Sequence, residues 1–426
     1  MKRILSLLLI NFLFISAASA QSGDTLSLEE CWKFGYAAFP LSGNPTLMNE
    51  NLQLKLKSLS TNYYPQLSMI AQATYQSEVS SLNLSNAPFS IDIETPAKDQ
   101  YKIALDVQQI IYDAGYTKYS KEIERLNTQE ALLQNEAEWH TMKQQIQQIY
   151  FAGLLYQSQK KVVILLLETL QQNIAVAQSA MRNGMLTQRD LNLLEVERLN
   201  AQQQLTDAEH NFSACLKMLE QLTNSIFDFS TTLKTPAITS EIGENIFNQR
   251  AEMAAFDTRK KRLLVSKNLL NAEITPTIGL FGQAGYGRPG LNMLSNNFDS
   301  YYLVGFRVAW TPWNWGDTQK NKKIQNTQAK IISNQQASFD ENTRTQAWNI
   351  RYEISKQEKM LVQDLEIVKL REKITRESAS QLANGNITTS DYIKDLNAEM
   401  VARINHEIHT IRLAKSHIEY QLILGE

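Results

Sequence analysis

Two long stretches without proline constrain this chain more than any of its other features. Residues 116–182 contain no proline and a single glycine, Gly153, and residues 317–384 contain neither. Both are rich in Gln, Glu, Lys, Leu and Ala, which favour helix, and apolar residues recur at spacings of three and four. At about 1.5 Å per residue, each helix is roughly 100 Å long. A helix of that length must bury its apolar stripe along another long helix.

The same short phrase follows each stretch. It reads NGMLTQRDL at 183–191 and NGNITTSDY at 384–392, so that equivalent positions lie 201 residues apart. Gly184 and Gly385 predict left-handed C-terminal caps. The candidate N-caps of a following helix are Thr187 in the first phrase and Thr388 to Ser390 in the second. Each phrase therefore predicts the tip of a helical hairpin.

The rest of the chain repeats in the same way. Gly115 in IYDAGYTKY and Gly316 in WNWGDTQKN share the offset of 201, whereas Pro65 in YYPQL and Pro276 in ITPTI lie 211 apart. The first half therefore carries about ten extra residues in a loop, and the pattern indicates a tandem duplication. We expect a signal peptide at 1–20, a first repeat at 21–235 and a second repeat at 236–426, each comprising a helix, a β-hairpin and a long helical hairpin.

A period of two precedes each long helix. The alternating apolar residues are Leu67, Met69, Ala71, Ala73 and Tyr75; Tyr101, Ile103, Leu105, Val107 and Ile111; Ile278, Leu280, Ala284 and Tyr286; and Tyr302, Val304, Phe306, Val308 and Trp310. A soluble sheet alternates too, and alternation alone favours that reading. Four such segments in a secreted chain, each pair leading into a very long helix, instead favour transmembrane β-strands with a polar side toward a lumen.

The N-terminus predicts export. Lys2 and Arg3 precede an apolar run, and Ala18-Ser19-Ala20 is an A-x-A cleavage site, which together form a secretory signal peptide. No later apolar run is long enough for a transmembrane helix. Cleavage reduces the 42 basic residues to 40 against 44 acidic ones, a net charge of −4 that gives no reason to expect a nucleic-acid partner. Cys31 and Cys215 are more often buried and inert in such a context than bridged.

Four strands do not close a barrel, and an open sheet edge in lipid leaves costly unpaired backbone groups. Two copies would give eight strands and a plugged barrel, and three would give twelve strands around an aqueous lumen. The expected fold is therefore an α+β membrane protein. Its long coiled-coil hairpins form a periplasmic α-barrel, and its four β-strands contribute to a trimeric 12-stranded transmembrane β-barrel.

The order of these motifs resembles the TolC-like outer-membrane efflux family over the whole mature chain. The motifs are LSLEECWKFGYAAFP with NPTL, NYYPQLS, IYDAGYTK and the repeated NGxxTxxD tips. NQRAEM is similar to the family's Arg-Pro-Glu-Leu box, with Ala251 where proline usually stands. The resemblance implies a homotrimeric exit duct in the outer membrane of a Gram-negative bacterium, without cofactors. It would serve a tripartite efflux or type I secretion system through a periplasmic adaptor (membrane fusion) protein and an inner-membrane transporter.

The resemblance also implies functional residues at the tips. The residues expected to contact adaptor hairpins are Asn183, Gly184, Met185, Leu186, Thr187, Asn384, Gly385, Asn386, Ile387 and Thr388. Asp391 matches a position where the family places a ring of carboxylates, which attracts cations. Lys394 stands where a second acidic ring occurs, beside Asp395, so the two could pair between protomers. Asp190 is the equivalent of Asp391 in the first phrase. Both aspartates could instead only cap a helix.

Other functions have weaker support. Enzyme motifs are absent, and His406 and His409 are more consistent with a packed or solvated helix face than with a metal site. Arg307, expected on the lumen side of the last strand, could tune selectivity or be merely solvated. A periplasmic coiled-coil adaptor or a structural protein without a pore remains the alternative, although neither class needs four amphipathic strands. The cargo is not specified by the sequence.

Overall fold

The computed structural model describes residues 25–79, 97–228, 230–238, 248–293 and 295–425. The predicted signal peptide at 1–20 lies outside these residues. The helices are α1 (Leu28–Ala38), α2 (Asn44–Ser60), α3 (Tyr116–Arg182), α4 (Gln188–Thr223), α5 (Ala251–Glu273), α6 (Asp317–Ala383) and α7 (Thr389–Leu424). The strands are β1 (Thr25–Leu26), β2 (Gln66–Tyr75), β3 (Asp99–Tyr112), β4 (Thr232–Leu233), β5 (Thr277–Arg288) and β6 (Asp299–Ala309). A short 3-10 turn at Thr61–Tyr63 precedes β2.

The predicted helical hairpins are confirmed, and their lengths repeat. Helices α3 and α6 each contain 67 residues, and α4 and α7 each contain 36. The first and last residues of α6 and α7 lie 201 positions after those of α3 and α4. The duplication in the sequence is therefore a duplication of helical elements of equal length.

The four long strands form one antiparallel sheet in the order β2-β3-β5-β6. The register places Leu105 opposite Met69 and Ala284, and Ala284 opposite Tyr302. Because side chains alternate along a strand, the predicted apolar residues share one side, with two exceptions. A register shift between Ile110 and Tyr112 takes Ile111 out of the alternation, and Trp310 follows the end of β6. We call it the apolar face; it carries Leu67, Met69, Ala71, Ala73, Tyr75, Tyr101, Ile103, Leu105, Val107, Ile278, Leu280, Ala284, Tyr286, Tyr302, Val304, Phe306 and Val308. The opposite side is called the polar face; it includes Gln66, Lys102, Asp106, Gln108, Phe281, Gln283, Tyr301 and Arg307.

The chain divides into two compact units. One comprises Gly43–Asn135 and Ala251–Phe339 and contains the sheet; the other comprises residues up to Ser42, Glu136–Arg250 and Asp340–Glu426 and contains both hairpin tips. Each unit draws on both sequence repeats, so these units do not coincide with the expected division at 235/236. In the sheet-containing unit, the buried carboxylate of Glu130 on α3 accepts from the guanidinium groups of Arg259 and Arg262 on α5, at 2.5 and 2.7 Å.

The main core of the helical unit surrounds the middle of α3. Tyr150 is fully buried, and its hydroxyl donates to the carbonyl oxygens of Leu26 at 2.7 Å and Lys234 at 2.6 Å, next to the parallel pair β1-β4. The single glycine of α3, Gly153, faces the same strand pair: a Cβ atom there would lie 2.7 Å from Leu233 Cδ1. Gly153 therefore lets β4 approach the helix closely.

Both cysteines lie buried as free thiols in this unit. Burial raises the pKa of Cys31 to about 12 and also raises the pKa of Cys215. These thiols are therefore unreactive at neutral pH. In the described ranges, no helix combines the length and apolar character needed to cross a bilayer.

Candidate functional site

Both hairpin tips have the same backbone geometry. Gly184 and Gly385 have φ angles of +75° and +70°, as the left-handed cap requires. In the first tip, the N–H of Gly184 donates to Met181 O at 3.0 Å and the N–H of Met185 to Ala180 O at 2.9 Å. The second tip repeats these two bonds at 3.0 and 2.9 Å. The pattern is a Schellman motif, which satisfies carbonyl groups at the end of the long helix.

A reciprocal capping box then starts each returning helix. Thr187 and Thr388 are the N-caps, and the third helical residue in each case is the aspartate singled out from the sequence. The carboxylate of Asp391 accepts from the backbone N–H of Thr388 at 3.2 Å and from its hydroxyl at 2.6 Å, and Asp190 contacts Thr187 in the same way at 3.0 and 2.6 Å. These hydrogen bonds, from the threonine hydroxyl first and its N–H second, lower the pKa of both aspartates.

Lys394 and Asp395, the other two residues predicted for the gate, differ in their surroundings. Lys394 is exposed, one turn after Asp391, and contributes to lowering the pKa of Asp391. Asp395 is partly buried, and its carboxylate accepts from the hydroxyl of Ser378 on α6 at 2.5 Å. The backbone carbonyl of Asp395 also accepts from Thr375 at 3.3 Å. Asp395 therefore ties α7 to α6, whereas Lys394 has its ammonium group in solvent.

Eight of the ten tip residues predicted to contact an adaptor are exposed, and Met185 presents 66 % of its surface. The exceptions are Leu186 and Ile387, which occupy equivalent positions. Both pack against a buried cluster that draws on α3, α4 and α7 and contains Leu170, Leu194 and Tyr392. The tips are thus anchored by one apolar residue each and present the remaining residues to solvent.

Sequence reasoning missed Tyr392. This residue ends the second phrase where the first has Leu191, and it is 2 % exposed. Its hydroxyl accepts from the side-chain amide of Asn173 on α3 at 2.5 Å. The difference between the two phrases at this position was the available signal, because a Tyr in place of a Leu adds a polar atom that a buried site must pair.

On the sheet, Arg307 lies on the polar face. Its guanidinium lies over the ring of Phe281 at 5.4 Å from the centroid. The ring of Phe281 in turn lies against Gly305, where a Cβ atom would come within 2.8 Å of it. Gly305 therefore leaves room for the tip of the Phe281 ring, and the guanidinium of Arg307 lies over the same ring.

Of the two histidines considered as metal ligands, His409 is paired with a carboxylate. His409 Nδ1 lies 2.5 Å from Asp364 Oδ2 on α6, and the side chains of both residues are about nine-tenths buried. In the part of the chain that the structure describes, no three His, Cys, Asp or Glu side chains are grouped to hold a metal ion. His409 therefore pairs the two helices of the second hairpin.

Neither a protein-family model nor a curated protein matches the chain. Solved structures do match. CusC, described in terms of transmembrane channel formation, is 13 % identical with a TM-score of 0.73 over 93 % of this chain and 92 % of its own. The outer-membrane channel CmeC of Campylobacter jejuni is 14 % identical with a TM-score of 0.65 over 93 % of this chain and 85 % of its own.

The open-state outer-membrane channel MtrE of Neisseria gonorrhoeae is also 14 % identical, with a TM-score of 0.69 over 93 % of this chain and 88 % of its own. At such identities the likeness establishes the fold. It confirms the resemblance found in the sequence: the chain has the fold of the TolC-like outer-membrane channels.

Proposed function

We propose that the chain is the outer-membrane exit duct of a tripartite efflux or type I secretion system. The observation that carries this proposal is a four-stranded sheet whose apolar residues share one exposed face, in a chain that also contains two long helical hairpins. Substrates would pass through unchanged, and no residue of the chain would act on them chemically.

The exposure of the apolar face supports a place in the bilayer. Tyr302, Val304 and Phe306 on β6 are 78, 73 and 73 % exposed, and Met69 on β2 is 68 % exposed. A continuous apolar surface of this kind on a water-soluble protein marks an interaction site or an aggregation hazard. Lipid is the partner that an alternating strand pattern fits, because it solvates one face while water solvates the other.

The sheet edges support a trimer. Strands β2 and β6 each pair on one side only in the described part of the chain, and lipid offers nothing to the unpaired backbone groups. Pairing β2 of one copy with β6 of the next satisfies both edges. Three copies give twelve strands, which is wide enough for an aqueous lumen, whereas two copies give a barrel filled by its own side chains.

We further propose that the exposed tip residues receive the hairpins of a periplasmic adaptor, which connects the duct to an inner-membrane transporter. Met185 and the polar groups of Asn183, Asn384 and Asn386 would supply this contact. Since Leu186 and Ile387 are packed inward, we expect their substitution to disturb the tip rather than the partner surface.

Native mass spectrometry, membrane fractionation and planar-bilayer conductance of the detergent-purified mature protein test the proposal. We expect a trimer in the outer-membrane fraction that forms discrete pores. A monomer in the soluble periplasmic fraction would contradict it and favour the adaptor or the structural coiled coil.

A gate formed by three copies of Asp391 and Lys394 is a separate proposal, with Asp190 and Asp395 as neighbouring acidic candidates. Because Asp391 also caps α7, its replacement alone confounds charge with helix stability. We therefore pair Asp391→Ala and Lys394→Ala with Thr388→Ala, which breaks the cap but keeps the carboxylate.

If the charges form the gate, conductance and cation preference change in the first two variants and stay near wild type in Thr388→Ala. Asp190→Ala and Asp395→Ala measure the contributions of the other two carboxylates. Equal effects of Thr388→Ala and Asp391→Ala would assign Asp391 to capping alone.

A further inference from the structure

A cavity of about 240 Å³ opens in the sheet-containing unit where the strands meet their flanking turns. Its lining includes Gln66, Gln108, Phe281 and Arg307, all of which belong to the polar face. The cavity is smaller than the pockets that hold drug-sized ligands, so a single-ring molecule is the size it suits.

Arg307, the cationic side chain that lines this cavity, has no carboxylate partner among the described residues. Arg307 is exposed, and its guanidinium rests on the Phe281 ring. The ring is half-buried and fixed against Gly305. An arginine supported on an aromatic ring keeps its N–H fork directed outward, which is the geometry that binds a carboxylate through two hydrogen bonds.

Asp113 also borders the cavity, and its carboxylate could neutralise Arg307 from within the chain. Its oxygens are already engaged. One accepts from the Tyr63 hydroxyl at 2.7 Å and the Gly115 N–H at 3.0 Å, and the other from the Thr117 N–H at 2.7 Å. Asp113 therefore caps the start of α3, and the amides of Gln66 and Gln108 remain as neutral donors at the cavity wall.

The other charged side chains of the polar face are Lys102, Asp106 and Asp299. Lys102 lies over the ring of Tyr301 at 5.8 Å. Asp106 accepts from the side-chain amide of Gln283 at 2.5 Å. The face thus carries two cations and two carboxylates, and Asp299 lies at the opposite end of β6 from Arg307. The attraction for an anion is therefore local to Arg307.

We propose that the Arg307 cavity binds small aromatic carboxylates, with the carboxylate on Arg307 and the ring beside Phe281. The proposal rests on the proposed function, because it takes the polar face to be the wall of the lumen. It names the class of substrate that this site favours, namely planar organic anions.

Isothermal titration of the purified, detergent-solubilised trimer with benzoate tests the site without requiring a functioning pore. We expect Arg307→Gln to weaken benzoate binding by about ten- to hundredfold, as for loss of hydrogen bonds to a charged group. Arg307→Lys keeps the positive charge but lacks the forked N–H groups. Its affinity for benzoate is therefore expected to lie between those of the wild type and Arg307→Gln. Phe281→Leu weakens binding by removing the ring face, and benzyl alcohol, which lacks the charge, binds the wild type poorly.

The control variant is Lys369→Gln, which removes an exposed cation on α6 and should leave benzoate binding at the wild-type level. Equal affinity of wild type and Arg307→Gln for benzoate, or equal affinity of wild type for benzoate and benzyl alcohol, would overturn the proposal. Bilayer recordings separate it from the proposed function. A pore whose anion-to-cation permeability is the same in wild type and Arg307→Gln contradicts the inference alone, whereas a wild type that forms no pore contradicts the exit duct.

Discussion

A glycine and a threonine in each hairpin reverse the direction of the chain at its tips. Gly184 and Gly385 adopt left-handed φ angles with no neighbour close enough to obstruct a Cβ atom. Their role is therefore conformational. A side chain would find room at both positions, but the left-handed φ angle favours glycine. Thr187 and Thr388 follow three residues later and cap the returning helix.

The φ angles make the tip glycines sensitive to a single methyl group. We expect Gly184→Ala and Gly385→Ala each to destabilise the local turn by about 1–2 kcal/mol, the cost of a left-handed conformation for an L-residue. Amide hydrogen exchange at the tip should accelerate roughly five- to thirtyfold. The control is Gly43→Ala, since Gly43 is equally unobstructed but has a φ of −82°. Equal acceleration of amide exchange around position 43 in Gly43→Ala would mean that the loss of glycine flexibility, rather than the φ angle, destabilises the tips.

The capping aspartates predict a pH dependence. Their pKa values are lowered in the folded chain, so the stabilisation they provide is present above the unfolded value of about 3.8 and is lost as pH falls through the folded pKa. We expect the thermal midpoint of wild type to exceed that of Asp190→Asn/Asp391→Asn at pH 7. The difference should disappear on acidification below the folded pKa. A difference independent of pH would show that the charge of the carboxylates does not provide the stabilisation.

At the scale of elements, the two long helices have equal length but different buried surfaces. Helix α3 buries apolar residues toward its tip, among them Val163, Leu166 and Leu170. Every buried residue of α6 after Ile354 is polar, namely Gln357, Asp364, Thr375 and Ser378. Toward its tip, α6 therefore contributes buried polar contacts and the partly buried Ala379 and Leu382, whereas α3 contributes fully buried apolar side chains.

The pair between Asp364 and His409 tests this difference. Asp364→Ala leaves the imidazole buried without its partner, so we expect about 1–3 kcal/mol of destabilisation, seen as faster hydrogen exchange in α6 and α7. Lys373→Ala is the control, because Lys373 and Glu377 are 3.9 Å apart and mostly exposed, and such pairs contribute less than about 1 kcal/mol. Equal effects would mean that the buried pair stabilises the hairpin no more than a surface pair.

Much of this element structure was readable from the sequence. The long helices begin and end within a residue of the stretches without proline, and the N-cap of α7 is Thr388 among the three candidates. The residues that indicate a helix and its caps lie within four residues of one another, so a short segment of sequence is enough to predict them. The polar contacts between α6 and α7 join residues up to 45 positions apart, so no pattern within a short segment predicts them.

At the scale of the whole molecule, the two faces of the sheet predict how the chain enters a membrane. Phe306 and Leu303 lie on the same strand, on the apolar and polar faces respectively. Phe306→Lys should cost about 2–4 kcal/mol in a bilayer and reduce the folded trimer recovered from the outer membrane. Leu303→Lys places the same charge toward water and should assemble normally. Comparable loss in both variants would contradict the assignment of the faces.

The sequence by itself determined the duplicated hairpins, their tips, the four strands and the separation of apolar from polar residues. Each of these depends on spacings within a few residues or on a constant offset along the chain. Only the tertiary structure decided which residues distant in sequence come into contact, namely Arg307 with Phe281, Tyr392 with Asn173, and Asp364 with His409. It also decided that each compact unit draws on both repeats. The physical reason is that burial and pairing depend on the side chains that distant segments bring together, which the order of residues along one segment does not specify.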